Sequence, residues 1–394
     1  MKIAFYSNFL NHHQLPLCQA FLMQEDVEFV FVATDEISKD RLDMGYADMN
    51  KEYPFVVRAY ESEQAKLQAE ELAKDADVMI FGAAPLKYLE LRMQLNKLTF
   101  YFCERPLKKG YWRRFIPTTR SKLKNQFVRY KDKNLYVLGA SAYTAYDLKL
   151  CGFNENKCFK WGYFPEIKGK DVERLIKAKK EKDNIEILYA GRLLKLKRVI
   201  DFAKAIKILV KQGITNFSFS IVGDGQEKEQ ILRYIKKKNL TSYIKIRPFQ
   251  SAKEIRSTMD LADIYVFGSD FNEGWGAVVN EAMNSACAVV VSHAVGSSAF
   301  LIESGKNGFI YECGNIKSIA ECLKKLLLNE KRRLELSRQA YNEITNHWTA
   351  EIAAKRLKDL STAFLNNGEI TNVFEEGVCS RANLLKNNWI KRRV

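Results

Sequence analysis

The chain has 394 residues, enough for about two domains that each bury a core, with 47% apolar and 28% charged residues, the ordinary balance of a globular protein. No apolar run approaches the ~20 residues of a bilayer span, and eight cysteines without C-x-x-C pairs or Cys/His clusters indicate neither a zinc site nor a disulfide framework. The formal charge of +16 points to an anionic partner: nucleic acid, a phosphorylated ligand or an acidic membrane surface. The thiols suit a reducing cytoplasm, and the opening Met1–Ser7 is too soon interrupted by Asn8, Asn11 and His12 for a signal peptide.

Lys2 to Ser7 reads as a first strand and Gln14 to Met23 as the helix after it, with a polar loop from Asn8 between them that carries His12 and His13. Val27–Thr34, Asp77–Gly82, Leu98–Glu104 and Leu135–Ala140 supply further strands, with helical segments between several of them. This alternation predicts an α/β domain, a parallel sheet with helices on both faces. Asp75-Ala76-Asp77 matches a D-x-D metal string, but its place fits a helix end and strand start, so no metal role is assigned to it.

Residues 105–133 hold eleven Lys/Arg against one acid, Asp132, with Tyr111, Trp112, Phe115, Ile116 and Phe127 interleaved. Such a mixture suits an interfacial segment on anionic lipid; a nucleic-acid patch or a solvated basic loop has the same composition. The membrane surface is preferred because no recognisable nucleic-acid module accompanies the patch. Residues 166–184, rich in Lys, Glu and Asp with little apolar period, read as an inter-domain connection.

The alternation restarts with strands at Ile185–Ala190, Phe217–Val222, Ile244–Phe249, Ala262–Phe267, Ala288–Ser292 and Gly308–Tyr311. Helices run through Val210 and over Ala252–Leu261, Ile316–Leu328 and Glu330–Thr345, and no repeat of ~20–50 residues is visible. Gly191-Arg192, with Lys197, stands at a strand-to-helix junction, where a guanidinium fork and a point charge suit a diphosphate. Gly223-Asp224-Gly225 is a tight turn open to a base or ribose, and Gly296-Ser297-Ser298 offers further N–H groups. The centre of the chain is Ser269 to Met283, where an apolar strand feeds a small-residue helix, predicted from Ala277 to Cys287, through a loop containing Gly274, Trp275 and Gly276. A strand's carboxyl end feeding a helix start is where open α/β sheets bind ligands, and its N–H groups suit phosphate. Glu273 and Glu281, eight positions apart, would lie roughly 12 Å apart along a helix axis, about the reach of a nucleotide-sugar.

In this order, Gly191-Arg192-Leu193 with Lys197, Val222-Gly223-Asp224-Gly225, Ala262-Asp263-Ile264, and Glu273-Gly274-Trp275-Gly276 with Glu281-Ala282-Met283 resemble the retaining glycosyltransferases of family 4. The resemblance covers about residues 185–311 and is faint over the first half. It implies the GT-B fold, two Rossmann-like domains facing across a cleft. They would be an acceptor-binding domain at 1–165 and a nucleotide-sugar domain at 185–348, with a crossover helix at 349–365 and an extension at 366–394. By the same resemblance Arg192 and Lys197 bind the donor diphosphate, Glu281 holds the ribose and Glu273 contacts the transferred sugar. Gly274 to Gly276 present backbone N–H groups, and Phe249 lies near the nucleobase. The implied activity is retaining transfer from a nucleoside-diphosphate sugar, a UDP-sugar first among them, to a glycan or lipid-linked acceptor in bacterial cell-surface polysaccharide synthesis. The basic stretch would hold the enzyme at the inner face of the membrane. Neither a cofactor nor a metal is expected, since Arg and Lys take the charge of the leaving group.

Two departures from the family stand out. Glu104, before Arg105, occupies the strand end where members often carry a histidine; it is either its replacement or a loop acid paired with Arg105. The first loop lacks the usual glycines, and His12 and His13 there serve acceptor or donor phosphates, or are structural. Two other functions remain open on the residues: a nucleotide-sugar epimerase of the same fold, and a nucleic-acid binder motivated by charge alone. The set of Arg192, Lys197, Glu273 and Glu281 favours transfer.

Overall fold

The computed structural model describes residues 1–39, 47–367 and 373–392. The chain divides into two compact units. One comprises Met1–Glu166 with Thr349–Lys386; the other comprises Ile167–Trp348 with the residues from Asn387 on.

The first unit is built on seven parallel strands: β1 (Lys2–Ser7), β2 (Glu28–Ala33), β3 (Val56–Arg58), β4 (Val78–Phe81), β5 (Thr99–Cys103), β6 (Leu135–Gly139) and β7 (Cys158–Lys160). Their order is β3-β2-β1-β4-β5-β6-β7. The central strands are apolar and buried because helices cover both faces of a parallel sheet. The chain winds outward from β1 to β3, then returns to place β4 on the other side of β1, so the winding direction reverses at β1/β4. β3 and β7, three residues each at the two edges, have too short an apolar run to be read from the sequence.

Arg92, wholly buried, ties helix Glu63–Asp75 to the sheet by donating to the carbonyls of Ala73, Ala76, Asp77 and Leu98 at 2.6–3.1 Å. Asp77 accepts the Lys2 backbone N–H at 2.8 Å, which makes the D-x-D string the end of a helix and the start of β4. The helix Ala350–Asn367 packs on the first helix, Leu15–Leu22, and its Lys358 pairs with Asp26 at 3.0 Å. Phe364 on that helix closes on Tyr136, with ring centres 4.1 Å apart.

The second unit has six parallel strands: β8 (Ile185–Ala190), β9 (Phe217–Val222), β10 (Ile244–Arg247), β11 (Ile264–Phe267), β12 (Ala288–Ser292) and β13 (Phe309–Tyr311). They run in the order β10-β9-β8-β11-β12-β13, with the reversal at β8/β11. The charged stretch 166–184 is not a plain connection in this unit: it contains the helix Val172–Lys180, capped by the Asp171 carboxylate. The helix packs on helix Glu330–His347 and buries Ile176 and Lys179. Lys179 donates to the carbonyls of Ser285 and Ala286 at 2.7 and 2.6 Å, and its burial lowers its pKa. A lysine on the packed face is what disguised the apolar period. The extension 366–394 falls partly outside the described residues, at 368–372 and 393–394. Among the described residues no helix is long and apolar enough to cross a membrane.

Candidate functional site

All strands of the second sheet are parallel, so the segments leaving β8, β9, β10 and β11 emerge on one edge. Two glycine turns are locked together there. Gly191 donates to the Val222 carbonyl at 3.0 Å and Leu193 to that of Asp224 at 2.8 Å. Gly223 has φ +145°, and a Cβ on it would sit 2.1 Å from the Gly191 carbonyl oxygen. Only glycine fits, because backbone from the neighbouring loop occupies the space. Read from sequence as room for a ligand, Gly223 is in the first place room for the adjoining turn. Asp224 stiffens the same turn: its carboxylate accepts the Gly225 N–H and the Lys228 ammonium, both at 2.7 Å.

Leaving β8, the chain turns so that Lys197 meets Glu273, which leaves β11; the two strands are neighbours at the reversal point. The pair is mostly but not wholly enclosed, at 14% and 16% side-chain exposure. The Ser269 hydroxyl donates to the same Glu273 oxygen at 2.7 Å, and the Lys197 ammonium lies 4.9 Å from the Phe267 ring centre. Arg192 lies exposed five residues before Lys197, and among the described residues its guanidinium makes no ion pair. Its carbonyl accepts the Tyr189 hydroxyl at 3.1 Å, which anchors the loop through the backbone.

The helix after Glu273 begins at Val278, later than Ala277, and ends at Asn284, before Cys287. Glu273 therefore sits in a turn, closed by its N–H to the Asp270 carbonyl at 3.0 Å, and a helical rise does not measure its distance from Glu281. Between the two, the N–H groups of Gly274, Trp275, Gly276, Ala277 and Val278 donate to no acceptor among the described residues. Gly276 has φ +83°, and a Cβ there would press on Phe267 and Val295 at 2.9 Å. Trp275 offers the loop its backbone N–H only: its indole is buried, donates to Asn280 at 2.9 Å, and packs with Phe300 and Trp348. Only its backbone faces the loop.

The Glu281 carboxylate accepts no hydrogen bond among the described residues, and burial raises its pKa, with the nearby Arg256 opposing. A desolvated carboxyl lacking donors is suited to a ligand's paired hydroxyls. Phe249, just past β10 on the same edge, is 79% exposed. His293 is structural: its Nδ1 accepts the Cys313 N–H at 2.9 Å, and its Nε2 faces the Asn387 carbonyl at 3.0 Å.

The first unit gathers its own set at the strand ends. His13, after β1, packs against His12 (3.9 Å between ring centres, planes tilted by 47°) and meets Tyr163 at 5.9 Å. Burial and the neighbouring His12 hold its pKa down at about 4, so at neutral pH it is a neutral hydrogen-bonding group and not a fixed charge. Tyr163 hydrogen-bonds Glu104, which follows β5 and pairs with Lys108. Glu104 is thus not the partner of Arg105. That guanidinium grips Asp147, donating at 2.9 and 3.1 Å with both groups at 0% exposure, and Asp147 also accepts the Leu107 N–H at 2.9 Å. Arg105 leaves the basic patch and joins the core. The rest of that segment folds as a short turn, Tyr111–Phe115, and a helix, Pro117–Gln126. Trp112 and Phe115 stand 60% and 71% exposed, each with an arginine near its ring face, Arg113 at 5.7 Å and Arg114 at 4.5 Å.

Sequence reasoning missed Ser269, Tyr163 and Arg256. Ser269 was visible as a polar residue at the end of β11; nothing local marks Tyr163 or Arg256, which arrive through the fold. Among the described residues no three His, Cys, Asp or Glu side chains converge as metal ligands would.

Residues 171–343 match the family described as glycosyl transferases group 1. The chain is 26% identical, over 187 residues, to the capsular polysaccharide biosynthesis glycosyltransferase CapM of Staphylococcus aureus, covering 48% of each. It is 27% identical over 151 residues to the poly(glycerol-phosphate) alpha-glucosyltransferase of Bacillus subtilis, 38% of this chain and 22% of that one. The chain thus spans half or less of the length of these relatives. Its fold is similar to that of Anabaena Alr3699/HepE, solved in complex with UDP, with a TM-score of 0.66 at 16% identity, covering 92% of this chain and 100% of the other.

Proposed function

We propose that the chain, whose residues 171–343 match the glycosyl transferases group 1 family, is a retaining glycosyltransferase of cell-surface polysaccharide synthesis. It takes a sugar from a nucleoside-diphosphate sugar, UDP-sugars first, and gives it to a glycan or lipid-linked acceptor. The observation that carries this reading is the Lys197–Glu273 pair at the reversal point of the second sheet, beside five unpartnered N–H groups and the unpaired Arg192. Cations and N–H dipoles are what a departing diphosphate requires, because its charge grows as the glycosidic bond breaks. Arg192 and Lys197 meet that charge, and in this proposal no metal ion is required. Glu273 accepts from the sugar's hydroxyls while holding the Lys197 ammonium in place. Glu281 accepts from the ribose, and the exposed Phe249 supplies a face for the base. Retention is proposed on the likeness of the motif set to family 4. The first unit takes the acceptor.

The exposed Trp112 and Phe115, flanked by arginines, are proposed to rest on an anionic membrane, aromatic rings at the headgroup level and cations against lipid phosphates. Vesicle co-sedimentation of Trp112→Ala/Phe115→Ala tests this; undiminished binding would overturn it.

The test of the donor site is thermal stabilisation by UDP, GDP, ADP, CMP and their sugar conjugates, since a ligand that binds the native state raises its melting temperature. One nucleotide class should stabilise the wild type and fail to stabilise Glu281→Ala. No shift with any of them, or conversion of the nucleotide sugar into an epimer without an acceptor, would overturn the reading.

A further inference from the structure

The first unit contains a cavity of about 320 Å³ at the carboxyl end of β5, in the size range of small-molecule sites. Its polar lining is Arg113, Thr119, Lys122, Gln126 and Glu104. Tyr101 and Phe127 are among its apolar walls. Glu104 is neutralised by Lys108, whereas neither Arg113 nor Lys122 has an acidic partner among the described residues. The cavity therefore carries two uncompensated cations together with a hydroxyl and an amide that can donate.

The helix that supplies three of these groups reinforces the charge. Pro117–Gln126 contains no acid, has no side-chain cap, and leaves the N–H groups of Thr118 and Thr119 unbonded in its first turn, where Thr119 lines the cavity. A helix start of this kind attracts anions, and a guanidinium fork beside an ammonium matches phosphate oxygens. The exposed Trp112 and Phe115 belong to the turn that carries Arg113, so an apolar chain esterified to the bound group has aromatic surface beside it.

We propose that this cavity binds the phosphate or diphosphate group of the acceptor, with Arg113 and Lys122 as its cationic partners. The inference rests on the glycosyltransferase reading for the word acceptor, and on the cavity's own residues for the anion.

The test uses the full chain and titration calorimetry with three probes: geranyl diphosphate, inorganic diphosphate and glycerol 3-phosphate. At least one should bind, with an affinity that falls steeply with salt. The double variant Arg113→Gln/Lys122→Gln should weaken it tenfold or more. Lys124→Gln, on the same helix outside the cavity, should leave it nearly unchanged. Equal affinity for geranyl and inorganic diphosphate assigns the site to the phosphates alone. Tighter binding of the geranyl ester, lost in Trp112→Ala, assigns a lipid-linked source. Unchanged affinity in the double variant would overturn the proposal, as would an equal loss in Arg192→Ala, which would place the ligand in the second unit. Thermal stabilisation by nucleotide is measured in parallel. Its absence from the wild type sinks the glycosyltransferase reading without touching the anion result, and its survival in the double variant shows that the loss is local.

Discussion

Two ion pairs, one in each unit, begin alike and end differently. Arg105 and Lys197 each follow a strand and each finds a carboxylate distant in sequence. The Arg105–Asp147 pair is closed to solvent, uses both carboxylate oxygens, and is completed by the Leu107 N–H and by the Tyr143 ring 4.6 Å from the guanidinium. The Lys197–Glu273 pair keeps a window to solvent, with unpartnered N–H groups next to it. A buried pair closed to solvent holds structure together, while a pair left partly open has capacity for a ligand. Composition reads both as Arg or Lys near Asp or Glu; the difference lies in what surrounds them.

The largest effect expected is from Asp147→Ala, which strands the Arg105 charge in the core. Unfolding of this variant should lose about 3–5 kcal/mol of stability, as cutting one side of a buried pair does. A melting temperature equal to that of the wild type would erase the contrast. Lys197→Ala should shift the balance: a smaller loss of stability than Asp147→Ala, because Glu273 keeps some solvent and the Ser269 hydroxyl, but turnover reduced on the order of 10²–10³, the effect of removing one preorganised charge donor. Intact sugar-transfer kinetics would move Lys197 to the structural class.

The histidine in the first unit's loop sharpens the comparison through pH. His13 has its pKa held at about 4, below the usual 6.5, by burial and by His12. The folded state therefore keeps it neutral, and its contribution is fully present above pH 6.5 and is lost as pH falls towards 4. His13→Gln should lose less stability than the wild type over that window, by on the order of 3 kcal/mol at most, read from melting curves in a pH series. Parallel curves for the two proteins would show that His13 is not the group that titrates.

The smallest effect, and the one most specific to a ligand site, belongs to Glu281. Its carboxyl pKa is raised by burial, so the charged form is a burden that grows as pH rises from the ordinary carboxylate range through the raised value. Glu281→Gln, which cannot ionise, should be slightly more stable than the wild type at pH 7.5 and no different near pH 4. It should also bind nucleotide about 1 kcal/mol more weakly, roughly fivefold, because charged acceptors make the stronger hydrogen bonds. A variant that gained stability and kept full affinity would remove Glu281 from the site.

The second unit was the more legible. Its strands announce themselves as apolar runs, and glycines, one arginine, one lysine and two glutamates stand in the segments that follow strands, in an order that carries information by itself. The first unit's site had no such order. Tyr163 is 59 residues from the Glu104 it binds, and it arrives there because β7 lies at the sheet edge beyond β6. The place of Trp275 in a conspicuous loop says nothing of where its ring goes; the aromatic core around Phe300 and Trp348 takes it. Lys179 misled, since a lysine on a helix face is normally solvated, and here three-dimensional packing supplies the carbonyls that hold it.

What the sequence determined by itself was the alternation of strand and helix, the two parallel sheets, and the residues that leave each strand at its carboxyl end. Those follow from local rules: apolar period, strand length, and glycine where backbone must approach backbone. What only the tertiary structure decided was partnership. Winding outward and back put β8 beside β11, and so Lys197 beside Glu273; it buried Arg105 and left Arg113 and Lys122 around an open cavity. Charge is a property of a residue, but whether that charge is satisfied depends on neighbours that the linear order does not contain.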